Sequence, residues 1–173
     1  GYTPAQLIKF APRVTGFNVD STGDGVADAT TAFPNQMQNL VFRGNKGFMP
    51  NVAASPTSPL VFNTSTQAFV TIMNNIGIGV PGDGGALNLH LGARNPEAGK
   101  KRLFFANPWA IAFEHNSNEG YVVSEASDVL VKITLDDNGV PSAVTVPAEG
   151  DTTKVLSIAV GQIPRGIVIN HAD

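Results

Sequence analysis

One stretch of this sequence gathers several hard oxygen ligands within a few residues. Residues 18–28 read NVDSTGDGVAD, and the candidate ligands are the side-chain oxygens of Asp20, Thr22, Asp24 and Asp28 and the backbone carbonyl of Val26. Oxygen ligands at alternate positions, with a glycine at the sharp turn, are the pattern of a calcium-binding loop. The spacing therefore predicts a Ca²⁺ site that ties down the N-terminal segment.

The match to the calcium loop is partial. Thr22 stands where a carboxylate or amide is usual, and Thr31 occupies the position of the bidentate Glu. Without that Glu we expect weak affinity, with a dissociation constant on the order of 10⁻⁴ to 10⁻³ M. The alternative is a polar Asp/Gly turn that binds nothing.

The histidines do not show the spacing of a metal site. The chain has three, which are His90, His115 and His171. No two are four residues apart or form a His-x-His pair, so two ligands for one metal ion would need help from the fold. His115 and His171 fall in predicted turns, and the alternation around His90 predicts the polar face of a strand. A site that joins His90, His115 and Trp109 is an open alternative, although core packing is the simpler prediction for Trp109.

Neither a nucleotide fingerprint nor a hydrolase motif is convincing. Residues 77–82 formally match G-x-G-x-x-G, but that motif must open a helix, and Pro81 with the following glycines excludes one. We expect a surface loop over residues 74–86 instead. The sequence contains no Gly-x-Ser-x-Gly elbow, and no pair of carboxylates can be assigned to a common cleft.

Composition indicates an all-β protein. Of 173 residues, 42% are hydrophobic and 14% charged, and 18 Gly with 12 Pro interrupt the chain too often for long helices. A net charge of −3 with scattered basic residues argues against nucleic acid and anionic membranes as partners. There is no apolar run long enough for a membrane span. Because the chain has no cysteine, it has no disulfide and no haem attachment motif, so no haem is expected to be attached within it.

The clearest structural unit in the sequence is residues 107–135. Apolar runs at 109–113, 121–124 and 129–133 are separated by polar turns, which predicts an antiparallel meander of three strands. Other runs predict further strands, at 40–43, 47–49, 50–56, 60–62, 68–73, 140–146, 155–160 and 164–170. Residues 4–10 are predicted to form one or two helical turns.

Three strand-like runs begin with proline at nearly equal intervals. They start at Pro50, Pro108 and Pro164, which are 58 and 56 residues apart. Such a period is an internal repeat, somewhat longer than the ~40 to 50 residues of a usual propeller blade. A meander that buries little alone is expected to stack against copies of itself.

The repeated runs resemble the YVTN-type seven-bladed β-propeller family. Its blades open with Pro-x-[Gly/Ala]-[Ile/Val] and continue into an aromatic-Val-x-[Ser/Asn] strand, patterns that residues 164–170 and 121–124 match. Residues 49–56 and 87–90 are similar to the propeller region of bacterial secreted di-haem or multihaem c-type cytochromes related to cytochrome c peroxidase. The resemblance covers roughly residues 40–173.

The resemblance implies an all-β fold of β-propeller blades. We expect a partial propeller, with about two to three blades of four-stranded antiparallel meander over 40–173, truncated at the C-terminus. Residues 1–39 then form an N-terminal segment that carries the possible calcium loop. It also implies a bacterial protein of the periplasm or the cell surface, whose partners are other protein chains, a missing C-terminal domain or a cytochrome.

Three functions follow as hypotheses. The first is a non-catalytic propeller scaffold or binding module of an exported redox-associated or surface protein. The second is a structural, filament-associated surface protein that completes its sheets with a partner chain. The third is a propeller hydrolase or lactonase.

Overall fold

A computed structural model describes residues 7–92, 103–145 and 157–170. The first part contains β1 (Arg13–Val19), β2 (Asp28–Met37), β3 (Val41–Arg43), β4 (Lys46–Ala54), α1 (Phe62–Ser65), β5 (Thr66–Asn74), β6 (Gly82–Asn88) and α2 (Leu89–Gly92). The second part contains β7 (Pro108–Phe113), β8 (Glu119–Ser124), a 3₁₀ turn (Glu125–Ser127), β9 (Val129–Leu135) and β10 (Pro141–Thr145), and β11 (Ser157–Ala159) follows. The expectation of an all-β protein is confirmed.

The strands form two antiparallel sheets. The first has the order β1-β2-β4-β5-β6, with β3 also paired to β4. The second has the order β10-β9-β8-β7, with β11 also paired to β9. The meander predicted over residues 107–135 is confirmed as β7-β8-β9. Within the first sheet, β2 pairs with β4, so the segment 1–39 contributes strands to the same sheet as the residues that follow it.

The main core lies between the two sheets. In β5, the side chains of Ala68, Val70 and Ile72 alternate onto the face that packs there. Their partners from the second sheet are aliphatic and aromatic residues of β7, β8 and β9, namely Ile111, Phe113, Val122, Val131, Ile133 and Leu135. Phe48 of β4 joins them, with its ring centroid 4.7 Å from that of Phe113.

The first sheet curls until its two end strands meet. Arg13 of β1 forms an ion pair with Asp83 of β6, and the same carboxylate accepts a hydrogen bond from Ala11 N at 3.0 Å. Further along, Asn88 Nδ2 donates to Thr15 O at 3.0 Å. The sheet is therefore nearly barrel-shaped, because side chains close the gap between β1 and β6.

The inside of the curled sheet is unusually polar for a protein interior. Thr15 and Thr30 share a hydrogen bond of 2.6 Å, and Thr71 Oγ1 donates to Asn51 Oδ1 at 2.7 Å. Ala32, Ala53 and Phe69 form a small apolar cluster beside them. Each of these buried hydroxyls and amides has a partner, which offsets the cost of removing it from water.

Pro50, the predicted start of a blade, lies inside a strand. The runs expected at 47–49 and 50–56 form the single strand β4. Along one edge of β4, β3 pairs as far as Phe48 and β2 begins at Asn51. Pro50 falls in the gap between them, where a residue without an N–H costs no ladder hydrogen bond.

Several predicted elements are wrong. Residues 60–62 are not a strand, because Leu60 and Val61 are irregular and Phe62 begins α1. Residues 164–170 have no regular structure, although their β-branched run predicts a strand. The loop expected over 74–86 ends early, since β6 begins at Gly82.

Other predictions fall partly beyond the described residues. Of the helical turns expected at 4–10, residues 7–10 are irregular, and the rest lies outside the described residues. The strands expected at 140–146 and 155–160 correspond to β10 and β11, and residues 146, 155 and 156 lie outside the described residues. No helix in the described part of the chain combines the length and apolar character that a membrane crossing requires.

The closure of the curled sheet gives a pH-dependent prediction. Burial alone would raise the pKa of the Asp83 carboxyl, but the N–H groups of Ala11 and Gly85 and the charge of Arg13 hold it below its ordinary value. A depressed pKa stabilises the fold above the unfolded value of about 3.9, and this stabilisation is lost as pH falls through the folded pKa. At pH 7, Asp83→Asn should lower the free energy of unfolding by about 1–2 kcal/mol.

Urea unfolding of the parent and Asp83→Asn should show this difference at pH 7 and a smaller one below about pH 4. Asp137→Asn is the matched control, because Asp137 is exposed in the turn between β9 and β10. A difference that stays constant across the acid range would contradict the role given to the Asp83 charge.

Candidate functional site

A cleft of about 670 Å³ lies between β3, the edge strand β7 and residues 167–169. Its walls are mainly apolar, and its charged or titratable members are Arg43, Glu114 and His115. Phe42, which is 58% exposed, stands on its β3 side. A concave site with apolar walls and a few polar groups is the usual form of a ligand-binding pocket.

Local sequence explains how the walls are placed. β3 and β4 form a hairpin around Gly44 and Asn45, and Gly44 has a φ of 56°, which glycine adopts without strain. β7 is the end strand of the second sheet, and one of its edges has no neighbouring strand among the described residues. Glu114 N donates to Glu119 O at 3.0 Å. By the alternation of an antiparallel ladder, the backbones of Phe113 and Ile111 then face away from β8.

Arg43 extends from β3 to the turn that follows β7. Its Nη1 donates to Glu114 O at 3.1 Å, its Nη2 donates to Ser117 O, and its guanidinium lies 5.3 Å from the centroid of the Phe113 ring. Both acceptors are backbone carbonyls. The guanidinium is therefore fixed in the cleft wall without being neutralised by these contacts.

The carboxylate of Glu114 is held by hydroxyl groups. Tyr121 OH donates to it at 2.8 Å and Ser117 Oγ at 2.9 Å. Both hydrogen bonds lower the pKa of Glu114, and the one from Tyr121 has the larger effect. Burial, together with the hydrogen bond to the Glu114 carboxylate, raises the pKa of Tyr121 to about 12. At neutral pH the pair is an anionic carboxylate beside a neutral phenol, which is poorly suited to proton transfer.

The residues of the predicted calcium loop bond mainly to their own loop. Asp20 accepts from Gly23 N at 2.6 Å and Gly25 N at 2.9 Å, and Asp28 accepts from the N–H and hydroxyl of Ser21. Asp24 accepts from Val26 N at 2.8 Å. The hydrogen bonds from Gly25 and Gly23 lower the pKa of Asp20.

The loop carboxylates are not gathered around one point. Within the described residues, no group of three or more His, Cys, Asp or Glu side chains is placed to hold a metal ion. Thr22 and Val26 are exposed beside Asp24. Calcium binding would need the carboxylates to turn from the loop N–H groups toward the ion, and the calcium site stays a prediction.

His90 is a buried residue and not part of a strand's polar face, so that prediction is wrong. The β6 ladder ends at Asn88, and His90 follows in the helical turn α2, where it is fully buried. Phe105 N donates to Nε2 at 3.0 Å, and Nδ1 is 3.3 Å from Gln67 Oε1. Phe105 O also lies 3.2 Å from Nε2, so both ring nitrogens are within hydrogen-bond distance of a buried polar partner.

His90, His115 and Trp109 lie in different surroundings in the described part of the chain. Trp109 is half-buried, and the guanidinium of Arg165 lies 4.9 Å from its ring centroid, so the prediction of core packing is wrong. His115 lines the cleft, whereas His90 lies beside Gln67. His171 is outside the described residues.

Residues 77–82 lead into the strand β6, which begins at Gly82, and not into the helix that a nucleotide fingerprint opens. Sequence reasoning missed Arg43. It is one arginine in a short strand beside a Gly-Asn turn, and its position becomes meaningful only when the second sheet brings carbonyl groups to it. A scan of protein families, a search of curated proteins and a search of solved structures found no match to this chain.

The calcium prediction can be tested by thermal unfolding. With Ca²⁺ near ten times the dissociation constant, the parent should gain about 1.4 kcal/mol over the same protein in chelator. Asp24→Ala should lose this gain, because it removes one ligand carboxylate, while Asp137→Ala should keep it. Identical melting curves for the parent with millimolar calcium and with chelator would leave only the polar turn.

Proposed function

We propose that this chain is a non-catalytic binding module, a scaffold that holds a ligand or a partner protein in the cleft between β3 and β7. The observation that carries the proposal is the cleft itself, with apolar walls and an arginine fixed by backbone carbonyls. Its acidic residue, Glu114, is engaged by Tyr121 and Ser117. These contacts favour binding over acid–base chemistry.

We place the module in the β-propeller class, in an exported bacterial redox-associated or surface protein. The strands β7 to β10 follow one another as a four-stranded antiparallel meander, which is the form of one blade. β4, β5 and β6 form an earlier meander, and Pro50 and Pro108 belong to the first strand of each. The periplasmic or extracellular location and a cytochrome partner rest on the family resemblance alone.

A second candidate function is a structural role in which another chain completes a sheet. The feature that favours it is the outer edge of β7, beside which the described part of the chain places no strand of the sheet. Unpaired edges of this kind accept strands from other chains. Light scattering separates the two, because this role requires association that grows with protein concentration, whereas the binding module alone does not.

The binding role is tested against the hydrolase or lactonase alternative. The parent, incubated with ester and lactone substrates and with or without divalent metal ions, should hydrolyse them no faster than buffer. The cleft variants Glu114→Gln and His115→Ala should give the same result. Turnover by the parent that either variant abolishes would overturn the proposal, because it would show that the cleft does chemistry.

A further inference from the structure

Among the residues that the structure describes, Arg43 is a cation fixed by hydrogen bonds that has no carboxylate partner. The described residues contain ion pairs between Arg13 and Asp83, Lys132 and Glu119, and Arg165 and Glu125. Arg43, which is half-buried, donates only to the carbonyl oxygens of Glu114 and Ser117. A positive charge removed from part of its water without a counter-ion is costly, and a bound anion would offset that cost.

The guanidinium is also prepared for a further ligand. It has five N–H donors, of which these contacts use two. The two carbonyls and the ring of Phe113 fix its plane, so little side-chain entropy remains to be lost on binding. A planar guanidinium suits the two oxygens of a carboxylate, to which it can donate in parallel.

The rest of the cleft favours an apolar body on that anion. Its volume of about 670 Å³ is lined by aliphatic and aromatic residues, including Val41, Ile111, Ile167 and Ile169. The carboxylate among the lining residues is that of Glu114, which accepts hydrogen bonds from the hydroxyl groups of Tyr121 and Ser117. The cleft thus combines a cation that forms no ion pair within the described residues with an apolar surface of ligand size.

We propose that this cleft binds a small amphipathic anion, a carboxylate carried on an aliphatic or aromatic body. The carboxylate accepts hydrogen bonds from the free donors of Arg43, and the body lies between β3, β7 and residues 167–169. This inference rests on the proposed binding function and names the class of ligand. A neutral or cationic ligand of the same shape binds more weakly, because it leaves the charge of Arg43 unpaired.

The test compares octanoate with octan-1-ol on the parent protein, by calorimetry and by the amide chemical shifts of the cleft residues. Octanoate should bind and shift the amides of β3 and β7, and octan-1-ol should bind roughly tenfold more weakly. Raising the salt concentration should weaken the binding of octanoate and leave the binding of octan-1-ol unchanged. Equal affinities, or shifts confined to other parts of the chain, would overturn the proposal.

Variants test whether the charge of Arg43 is responsible for octanoate binding. Arg43→Gln, which keeps a donor for the carbonyls, should reduce octanoate affinity roughly tenfold and leave octan-1-ol unchanged. Glu114→Gln should strengthen octanoate binding, because it removes the negative charge nearby. Lys9→Gln is the control, because it removes one positive charge from an exposed site. It should change the affinity for neither ligand. Unchanged octanoate affinity in a folded Arg43→Gln would overturn the proposal.

The outcomes also separate this inference from the function on which it rests. If Arg43→Gln does not fold, the comparison of octanoate with octan-1-ol on the parent decides the matter alone. If octanoate fails to bind and the ester and lactone assays are blank, the ligand class is wrong and the binding module stands. If the cleft hydrolyses substrates, the binding function itself falls, whatever octanoate does.

Discussion

The structure depends on the ladder between β4 and β5, in which eight consecutive residue pairs run from Gly47 with Met73 to Ala54 with Thr66. Because alternate side chains of a strand point to opposite faces, this register sends Val70 and Ile72 into the core between the sheets. The same register sends Gln67, Phe69 and Thr71 into the curled sheet. A slip of one residue would place amide and hydroxyl groups in the apolar core and Val70 in the polar interior.

The polar interior is a second consequence of burying both faces of one sheet. Inside the curl, the side chains must find hydrogen-bond partners among themselves, as Asn88 does with Gln67 and Thr15 O. His90 completes this set by joining Gln67 to the backbone of Phe105. A fully satisfied network of this kind specifies one arrangement of the strands, since any other leaves a buried polar group unpaired.

Local pattern predicted the elements that depend on neighbours in sequence. The meander over residues 107–135 was predictable because apolar runs and polar turns alternate there, and Asp136 and Gly139 mark the next turn. Predictions failed where contacts between residues that are far apart in the sequence determine the structure. The curl depends on Arg13 meeting Asp83 across 70 residues, and His90 is buried because Phe105 comes to it. Residues 164–170 have strand-forming side chains but belong to neither of the two sheets that the structure describes, so propensity alone does not make them a strand.

Arg43 makes a structural contact between the two sheets and also lines the proposed binding cleft. It joins the β3–β4 hairpin of the first sheet to the turn after β7 in the second, through Glu114 O and Ser117 O. A lysine would offer a point charge on a flexible stem, whereas the rigid fork of arginine reaches two carbonyls at once. Because carbonyl oxygens accept without carrying a full charge, this link between the sheets leaves the positive charge available. The cation of the cleft is therefore held by a contact that also links the two sheets, beside the apolar core between them.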